Sequence, residues 1–420
     1  MTDTTVLAPV AAHERIEAMD VLRGFALLGI LLMNIEAFVG PLYGALSGLD
    51  PALRGVDRFA DAAIYILVQG KFYTLFSLLF GMGFAVMLAR AQAAGRPFAA
   101  LYLRRTLALL AIGLAHLLLV WSGDILTVYA LVALVLLALF RNTPVSRLPK
   151  WGLAVYLVPS LVLLLAGVAG SAAQADPAAA AELAEGLAAQ QQAMDEAIAA
   201  QRAIQGGSDY PASIARRWAD FALFLGYLPV FGSQVLGMFL LGAWFVRSGA
   251  IARPGEFPRL YARLRWLALP AGLALMLLSY RLVPTVSFAR MDLVSAAAAA
   301  LAAVAGLLMC LGYLAWVLRG LQAGGAAARA LAALAPAGRM ALSNYLLQSL
   351  VCTAIFAGYG LGYFERLPRA WQVPFAFALF AAQVAASRWW LARYRFGPAE
   401  WLWRTATYGR RQPMRQPALA

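Results

Sequence analysis

Apolar runs of around twenty residues recur along this chain, and they limit its possible folds more than any other feature. They fall near residues 21–40, 58–90, 101–122, 125–141, 151–171, 211–247, 266–281, 291–318, 339–358 and 370–391, each bounded by Arg, Gly or Pro. Such a run crosses a hydrocarbon core of about 30 Å when it is helical. The expectation is an all-α integral membrane protein with about ten transmembrane helices. With 63% hydrophobic and only 13% charged residues, a water-soluble fold is excluded.

The formal charge of +14 raises nucleic acid as a partner, but the basic residues cluster at the ends of the apolar runs and form no single patch. Arg90, Arg96, Arg104 and Arg105 share one loop, Arg141, Arg147 and Lys150 a second, and Arg247, Arg253, Arg259, Arg263 and Arg265 a third. Arg319, Arg329, Arg339 and the Arg-rich tail fall on the same side, so the positive-inside rule places both termini in the cytoplasm. The first run has no A-x-A cleavage pattern and is expected to stay as the first helix. Two runs, 58–90 and 211–247, would each extend roughly 50 Å as straight helices, well beyond the core. Gly70 before Lys71, and Tyr227-Leu228-Pro229, are the natural breaks, which would make 58–69 and 211–226 interfacial or cavity-lining.

The chain then divides into a polar tail (1–13), an N-terminal transmembrane half (14–171), an extracytoplasmic helical insert rich in Ala, Gln and Glu (172–210), a C-terminal transmembrane half (211–395) and a cytoplasmic basic tail (396–420). In that tail, Phe396 to Arg404 reads as an amphipathic helix anchored at the interface by its tryptophans. Cys310 and Cys352 lie inside apolar runs, where a thiol acts as a small hydrophobe, so neither a disulfide nor a metal site is indicated.

Polar groups inside lipid-spanning segments ask for a function. Asp20-Val21-Leu22-Arg23-Gly24 opens the first run, and Asn34 lies eleven residues beyond Arg23, about three turns and roughly 16 Å along the same face. Asp20 and Arg23 either neutralise each other at the interface or open a site, while Glu36, near the outer end, needs water or a cation. His116 is the one histidine inside a run, and it repeats the eleven-residue interval from Arg105. Arginines at the cytoplasmic end can hold phosphates, and the deeper imidazole then sits within reach of a long thioester arm as a general base. Asp124 either orients that imidazole or caps the next helix. Lys71 reaches the outer headgroups or, with Thr74, extends a polar face. Asn344 and Gln348, stacked at i and i+4, glue helices or contact substrate. Arg339 at a helix N-terminus could join a phosphate site.

There is no H-E-x-x-H, phosphate loop, G-x-S-x-G or clustered His/Cys/Asp set. The stretch Glu14-Arg15-Ile16 through Gly29 resembles the start of the YeiB-like membrane proteins, the domain-of-unknown-function 418 family. Gly70 to Gly81, Gly113-Leu114-Ala115-His116 with Gly123-Asp124-Ile125-Leu126, Gly338 to Gln348, and Arg395-Phe396-Gly397-Pro398 to Arg410 are similar to its other signatures. The family in turn resembles transmembrane acyltransferases, which carry acyl groups from cytoplasmic acyl-CoA to acceptors across the membrane. Bacterial surface-polysaccharide O-acyltransferases have an arginine, ten residues and then a histidine on their first helix. Here Arg23 matches the arginine and Asn34 stands at the histidine position, as asparagine does in the lysosomal heparan glucosaminide N-acetyltransferase.

The resemblance implies a bacterial inner-membrane acyltransferase using acyl-CoA as co-substrate and no metal. Arg104 and Arg105, with Arg23 and Arg339, are expected to bind the CoA phosphates and Asn34 to stabilise the oxyanion, while His116, with Asp124, is the expected proton carrier by elimination and spacing, not by a matched motif. Expected partners are membrane lipid, acyl-CoA and a glycan or lipid acceptor, without nucleic acid; assembly as a homo-oligomer stays open. The rival reading is a transporter or flippase for an anionic or lipid-linked solute, with Lys71, Glu36, Asn344 and Gln348 as substrate contacts. A non-enzymatic scaffold using the 172–210 insert is a third. A reporter test of sidedness follows: green fluorescent protein fused after residue 420 should fluoresce, and alkaline phosphatase inserted near residue 190 should be active. The reverse pattern would refute the orientation.

Overall fold

The computed structural model describes residues 16–287 and 289–416. The 1–13 tail with His13, and the Glu14-Arg15 start of the family signature, lie outside the described residues. The first half comprises α1 (Glu17–Val39), α2 (Leu42–Ala45), α3 (Gly55–Leu67), α4 (Phe72–Ala93), α5 (Phe98–Leu119), α6 (Leu126–Val135, prolonged by a wider turn to Phe140) and α7 (Leu148–Ala173). The insert is α8 (Pro177–Gly206). The second half comprises α9 (Tyr210–Arg247), α10 (Pro258–Arg263), α11 (Leu269–Leu282), α12 (Leu293–Ala323), α13 (Gly325–Ala332), α14 (Ala335–Arg339), α15 (Ala341–Phe356), α16 (Arg369–Leu391) and α17 (Pro398–Tyr408). Among the described residues, eight helices are long and apolar enough to cross a membrane, and Leu126–Phe140 and Ala341–Phe356 are shorter apolar helices. The protein is an all-α, multi-pass membrane protein.

α1 is the central element, packed by α4, α12, α14, α15 and α16. Its Val21, Leu22, Ala26, Leu27, Leu31 and Ile35 are fully buried, whereas α7 leaves Leu161, Val162, Leu165 and Val168 exposed. That distribution suits lipid as solvent, with apolar side chains outside and polar ones turned inward. Ile16 before α1 and Phe396 and Tyr408 near the C-terminus line one cavity, so both ends of the described chain meet at the same, arginine-rich end.

The long run at 58–90 breaks as expected: α3 stops at Leu67, Gly70 takes φ +83°, and α4 resumes at Phe72. The run at 211–247 differs from expectation. α9 continues through Pro229 as one 38-residue helix, roughly 57 Å at about 1.5 Å per residue. The proline removes one backbone donor, but α4 and α7 pack along α9 and hold it continuous. The length beyond the apolar layer supports the insert. Gln201 of α8, fully buried, donates from Nε2 to Asp220 Oδ2 on α9 at 2.9 Å and accepts from the Tyr43 amide at 3.3 Å. The Gly358 amide donates to the Gln205 carbonyl at 2.7 Å, and Arg202 pairs with Glu365 at 2.8 Å. The insert is therefore a docked helix spanning most of 172–210, clamped to both halves.

Several crossings need residues without side chains. A Cβ on Gly338 of α14 would strike the Asp20 carbonyl of α1, and one on Gly24 of α1 would strike the Leu334 carbonyl; Gly81 and Gly242 play the same reciprocal part between α4 and α9. Close backbone approach of this kind is how helices gain van der Waals contact in lipid. Gly338→Val should lower stability by about 1–3 kcal/mol through overpacking, read as a lower unfolding midpoint in detergent. Gly40→Ala, whose Cβ meets only an ordinary contact, is the control and should unfold like the wild type.

Candidate functional site

The site begins with an interruption. α14 ends at Arg339, Met340 leaves helical geometry at φ −111°, ψ 33°, and α15 starts afresh at Ala341. A new helix start exposes amides without partners. Glu400 of α17 supplies the acceptor: its Oε1 receives the Leu342 amide at 2.7 Å and the Ser343 amide at 3.1 Å, and its Oε2 receives the Ser343 hydroxyl at 2.5 Å. The Ser343 Oγ in turn accepts the Ala399 amide at 3.0 Å, locking α17 to α15. Burial raises the Glu400 carboxyl above its ordinary value, and the hydrogen bonds from Ser343 and Leu342 oppose that shift.

Beneath this junction lie two adjoining cavities of about 190 and 200 Å³ that share Arg23, Gly83, Arg105, Arg339, Glu400 and Arg404 in their walls. The one nearer the two ends of the described chain adds Asp20, Arg90, Arg395 and Tyr408. The other runs inward past Phe76, Phe80, Tyr102, Leu109, Tyr129 and Leu126 to Tyr345. Arg23 is held by Asp20 at 2.6 Å. Arg105 stacks its guanidinium 3.6 Å from the Trp403 ring centroid, while Trp403 Nε1 donates to the Arg105 carbonyl at 2.7 Å. The Tyr102 hydroxyl is buried with no hydrogen-bond partner among the described residues. The result is a cationic mouth leading into an apolar, aromatic chamber. A phosphate-bearing amphiphile fits that gradient.

At the far end, His116 and Asp124 form a buried pair. The His116 Nδ1–H donates to Asp124 Oδ2 at 2.7 Å, and the Thr127 amide donates to Asp124 Oδ1 at 2.7 Å. Asp124 therefore does both things open to it, orienting the imidazole and capping α6. With Nδ1 so committed, Nε2 is the ring atom left to carry a lone pair whenever the ring is neutral. That atom has no partner among the described residues, nor do Trp121 Nε1 and Thr127 Oγ1 of the same turn. His116 does not itself line the arginine cavity. Tyr345, its ring centroid 5.3 Å from the imidazole, stands between them.

The other expected residues scatter. Arg104 is exposed on α5, and neither cavity includes it. Asn34 is half-buried on α1 and lines neither. Glu36 has its cation in Arg369, at 2.8 Å, and Arg369 also holds Asp61 at 2.9 Å. Asn344 donates to the Ala337 carbonyl at 3.2 Å and to Ser387 Oγ at 2.9 Å, and Gln348 donates to Gln383 at 2.9 Å; both amides join α15 to neighbouring elements and stay out of the cavities. Lys71 faces a different cavity at the opposite end. The helix expected to lie at the interface, α17, folds against α5 and α15 and walls the site with Glu400, Trp403 and Arg404. Sequence reading missed these three and Tyr345. The Gly397-Pro398-Ala399-Glu400 stretch signals a helix start, but nothing local announces a carboxylate reaching an amide 58 positions away.

A family profile described as "Protein of unknown function (DUF418)" matches residues 245–410. The uncharacterized protein YxaH of Bacillus subtilis is 34% identical, covering 97% of this chain and 98% of its own length. The uncharacterized protein YeiB of Escherichia coli is 34% identical, covering 94% and 96%. An uncharacterized 39.9 kDa protein of Bacillus acidopullulyticus is 31% identical, covering 97% of each. The chain belongs to the YeiB-like DUF418 family. No solved structure matches it.

Glu400→Ala strands the Leu342 and Ser343 amides and should cost about 1–3 kcal/mol of stability. Because the folded carboxyl lies above its ordinary 4.5, the folded state binds the proton more tightly than the unfolded chain. That contribution is complete below 4.5 and fades as pH rises through the raised value. Unfolding midpoints measured from pH 4 upward should show the decline in the wild type and a flatter profile in Glu400→Gln. Parallel profiles would contradict it.

Proposed function

We propose that the chain is a membrane-embedded acyltransferase of the bacterial inner membrane, with its arginine-rich end and both termini in the cytoplasm. It would take an acyl group from cytoplasmic acyl-CoA and pass it to an extracytoplasmic or membrane-associated acceptor, a glycan, lipid or small molecule. The observation that carries this reading is the path from the arginine mouth through the aromatic chamber to Tyr345, against whose ring His116 packs. Arg23, Arg105 and Arg339 suit the phosphates, and the Tyr102 hydroxyl offers a further donor within the chamber. His116 Nε2 then accepts the acceptor's proton as its oxygen or nitrogen bonds to the thioester carbonyl carbon. The C–S bond breaks, and the proton passes from the imidazolium to the departing thiolate. Asp124 steadies the imidazolium between the two transfers. Tyr345 must swing aside for this to occur, which would keep the base shut away from water until substrate arrives.

A second reading, a transporter for an anionic or lipid-linked solute, draws on a separate observation. A cavity of about 560 Å³ opens at the opposite end. Between it and the aromatic chamber, Tyr129 of the chamber donates to the Tyr73 carbonyl at 3.0 Å and bonds Ser77 Oγ at 2.8 Å, with Tyr73 itself lining the outer cavity. Two cavities facing opposite ends across so thin a layer suit alternating access as well as acyl relay.

Release of CoA from acetyl-CoA by purified protein, with a panel of hydroxyl and amine acceptors, separates the readings. His116→Ala should lower kcat about 10²-fold or more, and Arg105→Gln should raise the acetyl-CoA KM roughly tenfold. Equal rates in wild type and His116→Ala, or no CoA release with any acceptor alongside CoA-independent uptake into proteoliposomes, would sink the transferase reading.

A further inference from the structure

The outer cavity holds a buried amine, Lys71, with no carboxylate partner among the described residues. Lys71 closes the break between α3 and α4 and is only 1% exposed. Its Nζ donates to the Tyr65 carbonyl at 2.9 Å and to Met276 Sδ at 3.3 Å, a weak acceptor, and it forms no ion pair among the described residues. An ammonium has three donors, so one good hydrogen bond and a carboxylate are both missing. The part explained by structure is the Tyr65 contact, where the ammonium answers the negative end of α3. The part left over faces the cavity of about 560 Å³ whose wall Lys71 joins.

That cavity contrasts with the one at the arginine end. Gly167 of α7 and Ala298, Ala302 and Gly306 of α12 give it a smooth apolar flank. Exposed Gln190, Ser287 and Arg290 mark its mouth, and Arg290 is already paired with Asp292 at 3.0 Å. Lys71 is therefore the deep basic group of a cavity whose wall is mostly apolar. A single ammonium balances one negative charge, and a phosphate monoester would bring nearly two into the same low-dielectric space.

We infer that the outer cavity is a separate binding site for a monocarboxylate with an apolar body, its carboxylate seated on Lys71 Nζ and its tail along the small residues of α7 and α12. The site stands independently of acyl transfer at the arginine end. Calorimetric titration of full-length protein in phosphatidylcholine nanodiscs with decanoate, against empty nanodiscs, tests it. Saturable binding is expected, at least tenfold tighter than that of decanol and tighter than that of decyl phosphate. Lys71→Met should weaken decanoate at least tenfold, Lys71→Arg should keep it, and Arg105→Gln in the other cavity should bind as the wild type does. Should Lys71→Met fail to fold, labelling of the wild-type Lys71 amine by an acylating reagent gives the answer: decanoate should slow it and decanol should not. No saturable binding, equal affinity in Lys71→Met, equal affinity for decanol, preference for decyl phosphate, or labelling indifferent to decanoate would each overturn the inference.

Discussion

The carboxylate of Glu400 on the free amides of Leu342 and Ser343 is the contact on which the arginine end of the molecule depends. A helix that starts inside a protein must find acceptors for its first amides, and in a lipid-embedded protein water is a poor source of them. By supplying them from α17, the chain draws its last helix under the bundle. Trp403 then reaches the Arg105 carbonyl, and Arg404 joins Arg23 and Arg339 around one opening. A phosphate site and a capping site are built from the same physics, since both place negative charge where amides converge. Glu400 occupies the amides, which leaves the surrounding guanidinium groups to face the cavity.

The opposite end is organised by charge as well, but with the pairing completed. Arg369, almost fully buried, is shared between Glu36 and Asp61, and Asp61 also accepts the Asp50 amide at 3.1 Å. That cluster joins α1, α3 and α16 where the helices leave the apolar layer. The insert adds a second polar joint through Gln201 and Asp220. Charges at this end are structural where they meet a partner of opposite sign, and Lys71 meets none among the described residues.

Much of the architecture was legible in the chain. The apolar runs marked the helices, Gly70 marked the break between α3 and α4, and the arginine distribution marked one end as distinct. At Pro229 the helix continues where the sequence predicts a break, because the packing of α4 and α7 offsets proline's local cost. The amides of Asn344 and Gln348 illustrate the same limit: their spacing places them on one face of α15, but only Ser387 and Gln383 on α16 reveal that the face is a helix joint. For His116 and Asp124, the interval of eight residues across a turn was enough to suggest a pair. Their contact at 2.7 Å agrees with it.

By itself, then, the sequence determined that this is an all-α membrane protein, where its helices begin, and which few polar residues would have to lie inside it. Those facts follow from short-range physics: hydrocarbon thickness, backbone hydrogen bonding, and the conformational range of glycine. Tertiary structure alone decided which of those polar residues meet. It paired Glu36 with Arg369, left Arg104 outside, interposed Tyr345 before His116, and brought Glu400 from the tail into the heart of the site. Such choices depend on contacts between residues far apart in the chain, whose partners no local pattern encodes.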